Sequence, residues 1–279
     1  MLSCPAVEKR VIRDHYNLTT PFYRLLWGPH IHHGYWEADE SPRAAQLQLT
    51  ERLADLADVS RGQQLLDVGC GMGGSSIHLA RSRGCEAVGV TISPLQRHWA
   101  AAASRWHRVR RRTDFRCADA EQIDIEPATF DVVWSVECTE HLFDKPRFFE
   151  RAATWLRPGG TMAICAWLAG DNLDDARAQQ VYDVCEGFFC PSLGTFDDYA
   201  GWMDAAGLAV THVQDWTERV AQTWEICRDR VARTRVRRLA RWIDRDSVMF
   251  LDRFDTILAA YRAGAMKYGC FIAKKPLTA

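Results

Sequence analysis

Residues Leu65–Ser76, with the sequence LLDVGCGMGGSS, decide the fold of this 279-residue chain. The apolar run that ends at Val68 is typical of a buried parallel strand, and a helix is predicted soon after the glycines. The turn follows at Gly69, and Gly71, Gly73 and Gly74 allow a tight turn and let a bound ligand approach the main chain at the N-terminus of that helix. This stretch therefore predicts a nucleotide-type cofactor site in an α/β fold. A glycine turn that binds no ligand is the alternative.

The glycine spacing G-x-G-x-x-G from residue 69 to residue 74 also fits enzymes that bind dinucleotides. Two features favour a different cofactor. Asp67 lies inside the motif, where a carboxylate can face a cationic amino group. The second predicted strand, Ala87–Val90, ends in Thr91-Ile92-Ser93 and lacks the acidic residue that holds the ribose in NAD enzymes. The pattern D-x-G-x-G-x-G resembles motif I of the class I methyltransferases, and this resemblance implies S-adenosylmethionine (SAM) as the cofactor.

The composition disfavours several classes of protein. With 47% hydrophobic residues, the chain can form one large α/β domain with a cap. A net charge of −1 gives no general attraction to nucleic acid or to an anionic membrane. The ten cysteines lack zinc-site spacing, so we expect no metal site, reduced thiols and a cytoplasmic location. The charged N-terminus and the absence of a long apolar run predict no signal peptide, no plastid leader and no stable membrane insertion.

A region rich in aromatic residues and histidines, from Tyr16 to Trp36, precedes the first strand of the predicted core. Such a region does not suit a solvated tail, and it predicts a lid that packs over a pocket. Its W-G and H-H-G-Y-W patterns resemble the N-terminus of the gamma-tocopherol methyltransferase-like family. By that resemblance, Tyr16 lies near the amino-acid end of the cofactor. For either His32 or His33 alone, a hydrogen-bonded structural role is the favoured interpretation.

Further segments complete the predicted cofactor site. The pattern T-x-S-x-x-Q resembles the same family and the cyclopropane fatty acid synthases, and it stands where other methyltransferases have an acidic residue. This resemblance implies that Thr91, Ile92 and Gln96 contact the ribose and the adenine. Asp119 follows the third predicted strand, where methyltransferases place an acceptor for the adenine amino group, although a helix N-cap is a compatible role. The remaining predicted cofactor residues are Ala120 and Val136.

The fourth predicted strand, Thr129–Val136, is followed by three titratable residues, Glu137, Glu140 and His141. Open α/β sheets place their ligands at the carboxyl ends of strands, so these residues are well placed for chemistry. Methyl transfer from a sulfonium needs alignment, exclusion of water and, for some acceptors, a base. We expect at least one of the three to be that base, with a helix cap as the alternative. The pattern W-S-x-E-x-x-E-H resembles the tocopherol family, its E-H pair the cyclopropane synthases, and its first glutamate the sterol and prenyl diphosphate C-methyltransferases.

The C-terminal half of the chain predicts a cap. A helix over Pro146–Leu156 is expected to end at a turn, Arg157–Gly160, and residues 215–264 form an insert between the last two strands. Five aromatic residues of the insert are candidates for lining an apolar cavity over the acceptor: Trp216, Trp224, Trp242, Phe250 and Phe254. The arginine-rich segment Arg228–Arg245 is either a solvated face or a clamp for a diphosphate or carboxylate.

Together these observations predict a doubly wound, Rossmann-like, seven-stranded α/β methyltransferase core. We expect an N-terminal helical lid over residues 1–60 and a SAM-binding core over residues 61–279, with helical cap segments at about 171–195 and 215–264. The expected activity is methylation of oxygen, nitrogen or carbon in a small, largely apolar natural-product acceptor. The alternative is carbon methylation of an alkene such as a prenyl diphosphate, through a carbocation, with or without cyclisation and Mg²⁺. A SAM-binding module without turnover is disfavoured because Glu137, Glu140 and His141 are all present.

Overall fold

The computed structural model describes residues 1–234 and 245–277, and a seven-stranded sheet runs through its centre. The strands are β1 (Leu2–Ser3), β2 (Gln64–Val68), β3 (Glu86–Thr91), β4 (Thr113–Cys117), β5 (Phe130–Val136), β6 (Leu156–Ala169), β7 (Ser192–Leu193), β8 (Ala209–Asp215) and β9 (Met266–Lys274). The described helices are α1 (Lys9–Leu26), α2 (Pro42–Leu56), α3 (Gly74–Ser82), α4 (Pro94–Trp106), α5 (Lys145–Trp155), α6 (Asp175–Gly187), α7 (Phe196–Ala205), α8 (Thr217–Val220), α9 (Gln222–Arg233), α10 (Arg245–Asp252) and α11 (Phe254–Arg262).

The order of the strands confirms the predicted doubly wound fold. Across the sheet the order is β4-β3-β2-β5-β6-β9-β8. The strands from β2 to β6 run parallel, and β9 is antiparallel to both of its neighbours, β6 and β8. The chain moves outward from β2 in one direction through β3 and β4, and then in the other direction from β5. The crevice at this reversal, at the carboxyl ends of β2 and β5, is where folds of this kind bind ligands.

Two central strands are buried on both faces. Leu65 and Leu66 of β2, and Val132 and Trp134 of β5, have no exposed surface. Helix α2 and the aromatic residues of the cap pack on one face of the sheet, while α5 and α7 pack on the other. Coverage of both faces is the reason that these strands have continuous apolar runs in the sequence.

Two predicted boundaries were wrong. The sequence predicts a short helix over Ala6–Tyr16, yet α1 continues to Leu26 because its aromatic residues supply a face that packs against the cap. The predicted turn at Arg157–Gly160 lies inside β6. Phe130 pairs with Leu156 and Val132 pairs with Thr161, so β6 bulges outward between these pairs.

A small two-stranded ribbon was not predicted. Leu2 and Ser3 of β1 pair in antiparallel fashion with Leu193 and Ser192 of β7, and the Cys4 N–H donates to the Pro191 carbonyl at 2.7 Å. A two-residue strand has no periodicity that a sequence can display. The ribbon attaches the N-terminus to the first cap segment, which otherwise consists of α6 and its flanking loops.

In the described parts of the insert between β8 and β9, α8 and α9 lie before the gap in the described residues and α10 and α11 lie after it. Trp242 and the central part of the segment Arg228–Arg245 lie outside the described residues. Among the helices of residues 1–234 and 245–277, none is both long enough and apolar enough to span a membrane.

Candidate active site

Two adjoining cavities lie at the carboxyl ends of β2, β3 and β5. The larger cavity has a volume of about 980 Å³. The aromatic cavity, which we name for the rings that line it, has a volume of about 630 Å³. The two cavities share five lining residues, Tyr16, Ile31, His32, Glu137 and His141. All ten residues predicted to bind the cofactor line the larger cavity: Tyr16, Asp67, Gly69, Gly71, Thr91, Ile92, Gln96, Asp119, Ala120 and Val136.

The glycine loop after β2 forms one wall of the larger cavity. Gly69 and Gly71 have φ angles of +79° and +52°, which favour glycine. A Cβ atom at Gly69 would lie 2.3 Å from the sulfur of Cys138, so only glycine lets the loops after β2 and β5 meet. A Cβ atom at Gly71 would meet only the side chain of Ile31, at 3.9 Å. The loop therefore packs closely at Gly69 and leaves room for a ligand at Gly71.

Asp67 is a buried acid in the wall of the larger cavity. Its Oδ2 atom accepts a hydrogen bond from the Ser76 hydroxyl at 2.5 Å. Burial raises the pKa of Asp67 to about 6, although hydrogen bonds from Ser76 oppose the shift. No basic side chain in the described parts of the chain pairs with Asp67. A buried carboxylate without a cation fits a ligand that carries an ammonium group, as SAM does.

The other predicted cofactor residues include Thr91, Gln96 and Asp119, which form hydrogen bonds within the protein. The Thr91 hydroxyl donates to Oε1 of Gln96 at 2.8 Å, which fixes the start of α4 beside the cavity. Asp119 uses Oδ1 to accept the N–H of Glu121 at 2.9 Å, and its Oδ2 pairs with the Lys9 ammonium at 2.8 Å. Lys9 had not been singled out in the sequence, because its partners lie more than a hundred residues away.

Helix α1 lies over the larger cavity and is attached to it at three points. Lys9 pairs with Asp119 and with Glu121 at 2.6 Å. The Ser93 hydroxyl, at the start of α4, donates to Oδ1 of Asn17 at 2.6 Å. The Tyr16 hydroxyl lies 2.9 Å from Nε2 of His141. These three contacts span the carboxyl ends of β3, β4 and β5, so α1 covers the cavity mouth.

Glu137 is the centre of a hydrogen-bond network between the two cavities. Its Oε1 atom accepts from the His33 N–H at 2.8 Å, from the His33 Nδ1–H at 2.9 Å and from the Tyr268 hydroxyl at 2.8 Å. Burial alone raises the pKa of this carboxyl, but the interactions with His33 outweigh burial and lower the pKa of Glu137 to about 2. Glu137 also has a φ angle of +53°. An unfavourable backbone conformation of this kind persists only where the surroundings enforce it.

Glu140 has the opposite electrostatic character. Its Oε1 atom accepts the N–H of Trp167, while Oε2 is buried without a hydrogen-bond partner. Burial raises the pKa of Glu140 to about 8, the hydrogen bond from Trp167 opposes the shift and the charge of Glu137 adds to it. Lys145 holds the turn that carries Glu140, because its ammonium donates to the Leu142 carbonyl at 2.8 Å. The side chain of Glu140 is therefore a neutral acid at neutral pH.

We expect Glu140→Gln to change how stability depends on pH. The pKa of Glu140 is about 8 in the folded chain and about 4.5 in the unfolded chain. The protonated side chain therefore contributes fully to the free energy of unfolding below about pH 4.5. This contribution is lost as the pH rises through about 8. Glutamine is neutral throughout and can still accept from Trp167. Between pH 5 and 8 the wild type should therefore lose on the order of 2–4 kcal/mol of unfolding free energy relative to the variant.

Urea unfolding of both proteins at several pH values measures this difference. Asp183→Asn, at a half-exposed acid away from both cavities, is the control for a general change of charge. Parallel pH profiles for the wild type and Glu140→Gln would show that Glu140 does not titrate with a raised pKa.

His141 is held as a neutral ring. Its Nδ1 lies 3.0 Å from the Phe189 carbonyl, which can only accept, so Nδ1 carries the hydrogen. Nε2 then accepts from the Tyr16 hydroxyl. Burial lowers the pKa of His141 to about 4, in agreement with this tautomer. Both ring nitrogens are thus engaged, and His141 positions Tyr16 at the boundary of the two cavities.

The two neighbouring histidines of the lid differ in their hydrogen bonds. His32 uses both ring nitrogens, since Nδ1 donates to the His33 carbonyl at 2.7 Å and Nε2 lies 3.0 Å from Nδ1 of His30. His33 uses only Nδ1, and its Nε2 is buried without a partner. The predicted structural role therefore describes His32 well and His33 poorly. Only the H-H-G-Y-W pattern signalled His33, and no feature of that pattern distinguishes the two rings.

The aromatic cavity is lined by rings from the lid, the sheet and the cap. Of the five aromatic residues predicted to line it, the structure places Trp224, Phe250 and Phe254 there. Trp216 is not among them, because it packs edge-on against Tyr35 with ring centroids 5.0 Å apart. Trp242 lies outside the described residues. The lining residues not predicted from the insert include Trp167 of β6 and Phe188, which follows α6.

Comparisons with known proteins agree with this geometry. A family profile described as mycolic acid cyclopropane synthetase matches residues 5–267. The chloroplastic tocopherol O-methyltransferase of Arabidopsis thaliana is 30% identical, over 96% of this chain and 83% of that protein. The 27-O-demethylrifamycin SV methyltransferase of Amycolatopsis mediterranei is 34% identical, over 71% of this chain and 74% of that protein. Among solved structures, the cyclopropane synthase MmaA2 of Mycobacterium tuberculosis shares the fold, with a TM-score of 0.85, 18% identity and coverage of 97% of this chain and 99% of that one.

Proposed function

The chain belongs to the mycolic acid cyclopropane synthetase family and is a class I SAM-dependent methyltransferase, and from this premise we propose that it methylates a hydroxyl or amine group of a small, largely apolar natural product. The relatives include a tocopherol O-methyltransferase and a methyltransferase of a rifamycin, which supports an acceptor of this kind. The larger cavity would hold SAM, and the aromatic cavity would hold the acceptor.

The observation that carries this proposal is a set of unpaired polar atoms beside aromatic walls. Nε2 of His33, Oε2 of Glu140 and Nε1 of Trp167 are all buried without hydrogen-bond partners, and all three residues line the aromatic cavity. Leaving a buried polar atom unpaired costs about 1–3 kcal/mol. An acceptor with a polar group on an apolar body would pair these atoms, whereas a plain hydrocarbon would leave them unpaired.

The residues of the larger cavity suit the parts of SAM. Asp67 would hold the amino group, and Gly69 and Gly71 would let the main chain approach the cofactor. Thr91 and Gln96 lie where neutral hydrogen-bonding groups can meet the ribose and adenine, with Ile92, Ala120 and Val136 as apolar contacts. The carboxylate of Asp119, which also pairs with Lys9, would accept a hydrogen bond from the adenine amino group. When bound, SAM supplies a methyl group that its sulfonium has already activated.

The lid over residues 1–60 and the cap segments would exclude water from the transfer. Tyr16 is partly buried, is hydrogen-bonded to His141 and lines both cavities, so it would lie where donor and acceptor must meet. Glu140, as a neutral acid, could donate a hydrogen bond to the acceptor group. The carboxylate of Glu137 would act on the groups around it through its negative charge. Exclusion of water strengthens each of these interactions. The ten cysteines are all free thiols, which supports a cytoplasmic location.

Carbon methylation of an alkene is a second candidate, and one observation favours it. Trp167, Phe188, Trp224, Phe250 and Phe254 form a contiguous cluster with ring centroids 5.1–5.8 Å apart. Aromatic faces stabilise cations, and an alkene that accepts a methyl group becomes a carbocation. Within the described residues, no group of His, Cys, Asp or Glu is placed to hold a metal ion.

The test is calorimetric titration of SAM and S-adenosylhomocysteine into the purified protein, followed by mass spectrometry of products from a panel of acceptors. The panel contains chromanols, simple phenols, secondary amines and prenyl diphosphates, the last with and without Mg²⁺. We expect binding of both nucleosides with micromolar dissociation constants, on the order of −8 kcal/mol, and a methylated phenol or amine without added metal.

Each result has a distinct meaning. Methylation restricted to prenyl diphosphates with Mg²⁺ would favour the carbon route over our proposal. Binding without any methylated product across the panel would contradict the proposed acceptor class. Absence of binding by either nucleoside would contradict the assignment of the larger cavity to SAM.

A further inference from the structure

We propose that His33 is the catalytic base, that its Nε2 atom takes the proton of the acceptor, and that Glu137 holds its ring in place. This inference rests on the proposed function, since it concerns a hydroxyl acceptor in the aromatic cavity. It also changes the expectation drawn from the sequence, where Glu137, Glu140 and His141 were the candidates for the base.

The hydrogen bonds define the state of the His33 ring. A carboxylate oxygen can only accept, so the contact of 2.9 Å between Nδ1 of His33 and Oε1 of Glu137 places a hydrogen on Nδ1. In the neutral ring, Nε2 then carries a lone pair. This atom has no partner, although the side chain is 1% exposed and lines the aromatic cavity. A buried lone pair without a donor is a specific signal for a ligand that supplies one.

The three groups predicted as bases are each unsuited to that task in this arrangement. Oε1 of Glu137 already accepts three hydrogen bonds, and a carboxylate with a pKa near 2 is a weak base. Nε2 of His141 is occupied by the Tyr16 hydroxyl. Glu140 carries its proton at neutral pH and so cannot accept another. Nε2 of His33 is a basic nitrogen in the wall of the aromatic cavity that is buried without a hydrogen-bond partner.

The surroundings of His33 keep water away and fix its orientation. The rings of Trp224, Tyr268 and Trp167 lie around it, with centroids 4.9, 5.1 and 5.6 Å from the centroid of the imidazole. The titratable groups that face it are Glu137 after β5, Tyr268 on β9, Tyr261 on α11 and its neighbour His32. Glu137 alone among these is an anion at neutral pH, and it is bonded directly to the ring.

The step balances without any further reactant. The acceptor oxygen forms a bond to the methyl carbon, the bond from that carbon to sulfur breaks, and its electron pair stays on sulfur. The proton of the acceptor hydroxyl passes to Nε2 of His33, so the ring becomes an imidazolium. The negative charge of Glu137 stabilises that cation, in the way that a carboxylate supports a basic histidine in other enzymes. The products are the methyl ether, S-adenosylhomocysteine and a proton that leaves His33 after release.

The decisive variant is His33→Asn, because the asparagine amide can still donate to Glu137 but places nothing where Nε2 was. The probes are four phenols of increasing acidity: 4-methylphenol, 4-chlorophenol, 4-cyanophenol and 4-nitrophenol. At about pH 7.5, where Glu140 is still mainly protonated, 4-methylphenol keeps its proton and needs a base, whereas 4-nitrophenol is mainly ionised and needs none. The ratio of wild-type to variant kcat cancels the intrinsic reactivity of each phenol.

We expect this ratio to be about 10²–10⁴ for 4-methylphenol and to fall towards one for 4-nitrophenol. SAM affinity, measured by calorimetry, should change less than about threefold, because the cofactor lies in the other cavity. The matched control is His78→Asn, at a histidine that pairs with Glu51 and lines neither cavity, and its ratio should stay near one for all four phenols.

The same loss for all four phenols, or no loss for any, would overturn the role of His33 as a base. Methylation by the wild type of prenyl diphosphates but of no phenol would overturn it as well, while the function as a methyltransferase would stand. Absence of SAM binding by the wild type would instead contradict the proposed function itself. If His33→Asn does not bind SAM, we would measure His33→Gln on the same series, and the same criteria apply.

Discussion

Glu137→Gln is expected to reduce kcat with a non-ionised phenol by about 10²–10⁴-fold, the usual contribution of general acid–base catalysis. Glutamine keeps an oxygen that can accept from the two N–H groups of His33 and from the Tyr268 hydroxyl, so the network can survive. What it removes is the negative charge that favours a protonated His33. Initial rates under saturating SAM measure the loss of kcat. A SAM titration of the variant shows whether binding of the cofactor has changed.

The control for Glu137→Gln is Tyr268→Phe. This change removes one of the three donors to Oε1 but leaves the carboxylate and both bonds from His33. A hydrogen bond to a charged group contributes about 1.5–3 kcal/mol to stability, but this variant keeps the charge of Glu137, so we expect a smaller loss of kcat than in Glu137→Gln. Retention of kcat within threefold in Glu137→Gln would mean that the charge of this carboxylate does not assist the transfer.

Asp67→Ala should weaken SAM binding by roughly 10- to 100-fold, because a hydrogen bond to a charged group contributes about 1.5–3 kcal/mol. Asp67 is buried in the wall of the larger cavity, and its only side-chain partner among the described residues is the Ser76 hydroxyl. The variant removes the single anion that can face the amino group of SAM at this wall. Calorimetric titration at neutral pH gives the dissociation constants.

Two comparisons separate charge from hydrogen bonding. Asp67→Asn retains an acceptor for Ser76 and loses only the charge, so it should weaken SAM binding almost as much as Asp67→Ala. The pKa of Asp67 is raised to about 6, so wild-type affinity for SAM should fall as the pH drops through this value and the carboxylate takes up a proton. Asp67→Asn should lose that dependence. An unchanged affinity in both variants would show that Asp67 does not contact the cofactor.

The two sets of variants also test whether cofactor binding and catalysis depend on different acids. Glu137→Gln should lower kcat and leave SAM affinity nearly unchanged, while Asp67→Ala should lower SAM affinity first. Oε1 of Glu137 is bonded to His33 and Tyr268, whereas Asp67 lines only the larger cavity, which is the structural reason for this division. An equal loss of SAM affinity in both variants would contradict separate roles for the two acids.

Much of the fold could be predicted because its signals are local. The run Leu65–Ser76 shows both the buried strand and the turn that follows it, and β9 was predicted with the bounds that the structure gives. Of the ten predicted cofactor residues, several lie at strand ends, which meet at one edge of a parallel sheet, whereas Tyr16, Thr91, Ile92 and Gln96 were implied by the family resemblance. Their individual contacts with SAM remain predictions.

Other features depend on residues that are far apart in the sequence. The pairing of Lys9 with Asp119 spans 110 positions, and the contact of His33 with Glu137 spans 104. The bulge at Gly159 could be predicted only with knowledge of where β5 and β6 pair. No short-range pattern reports such contacts, because the spacing between partners is set by the lengths of the intervening helices and strands.

By itself, the sequence determined the class of fold, the position of the cofactor cavity and the set of titratable groups beside it, since glycine spacing and apolar runs act over a few residues. Only the tertiary structure decided which of those groups has a free lone pair. His32 and His33 are neighbours of the same type, yet His30 pairs with one and Glu137 with the other. The protonation state of a buried group depends on its desolvation and on its partners, and both are properties of the folded chain.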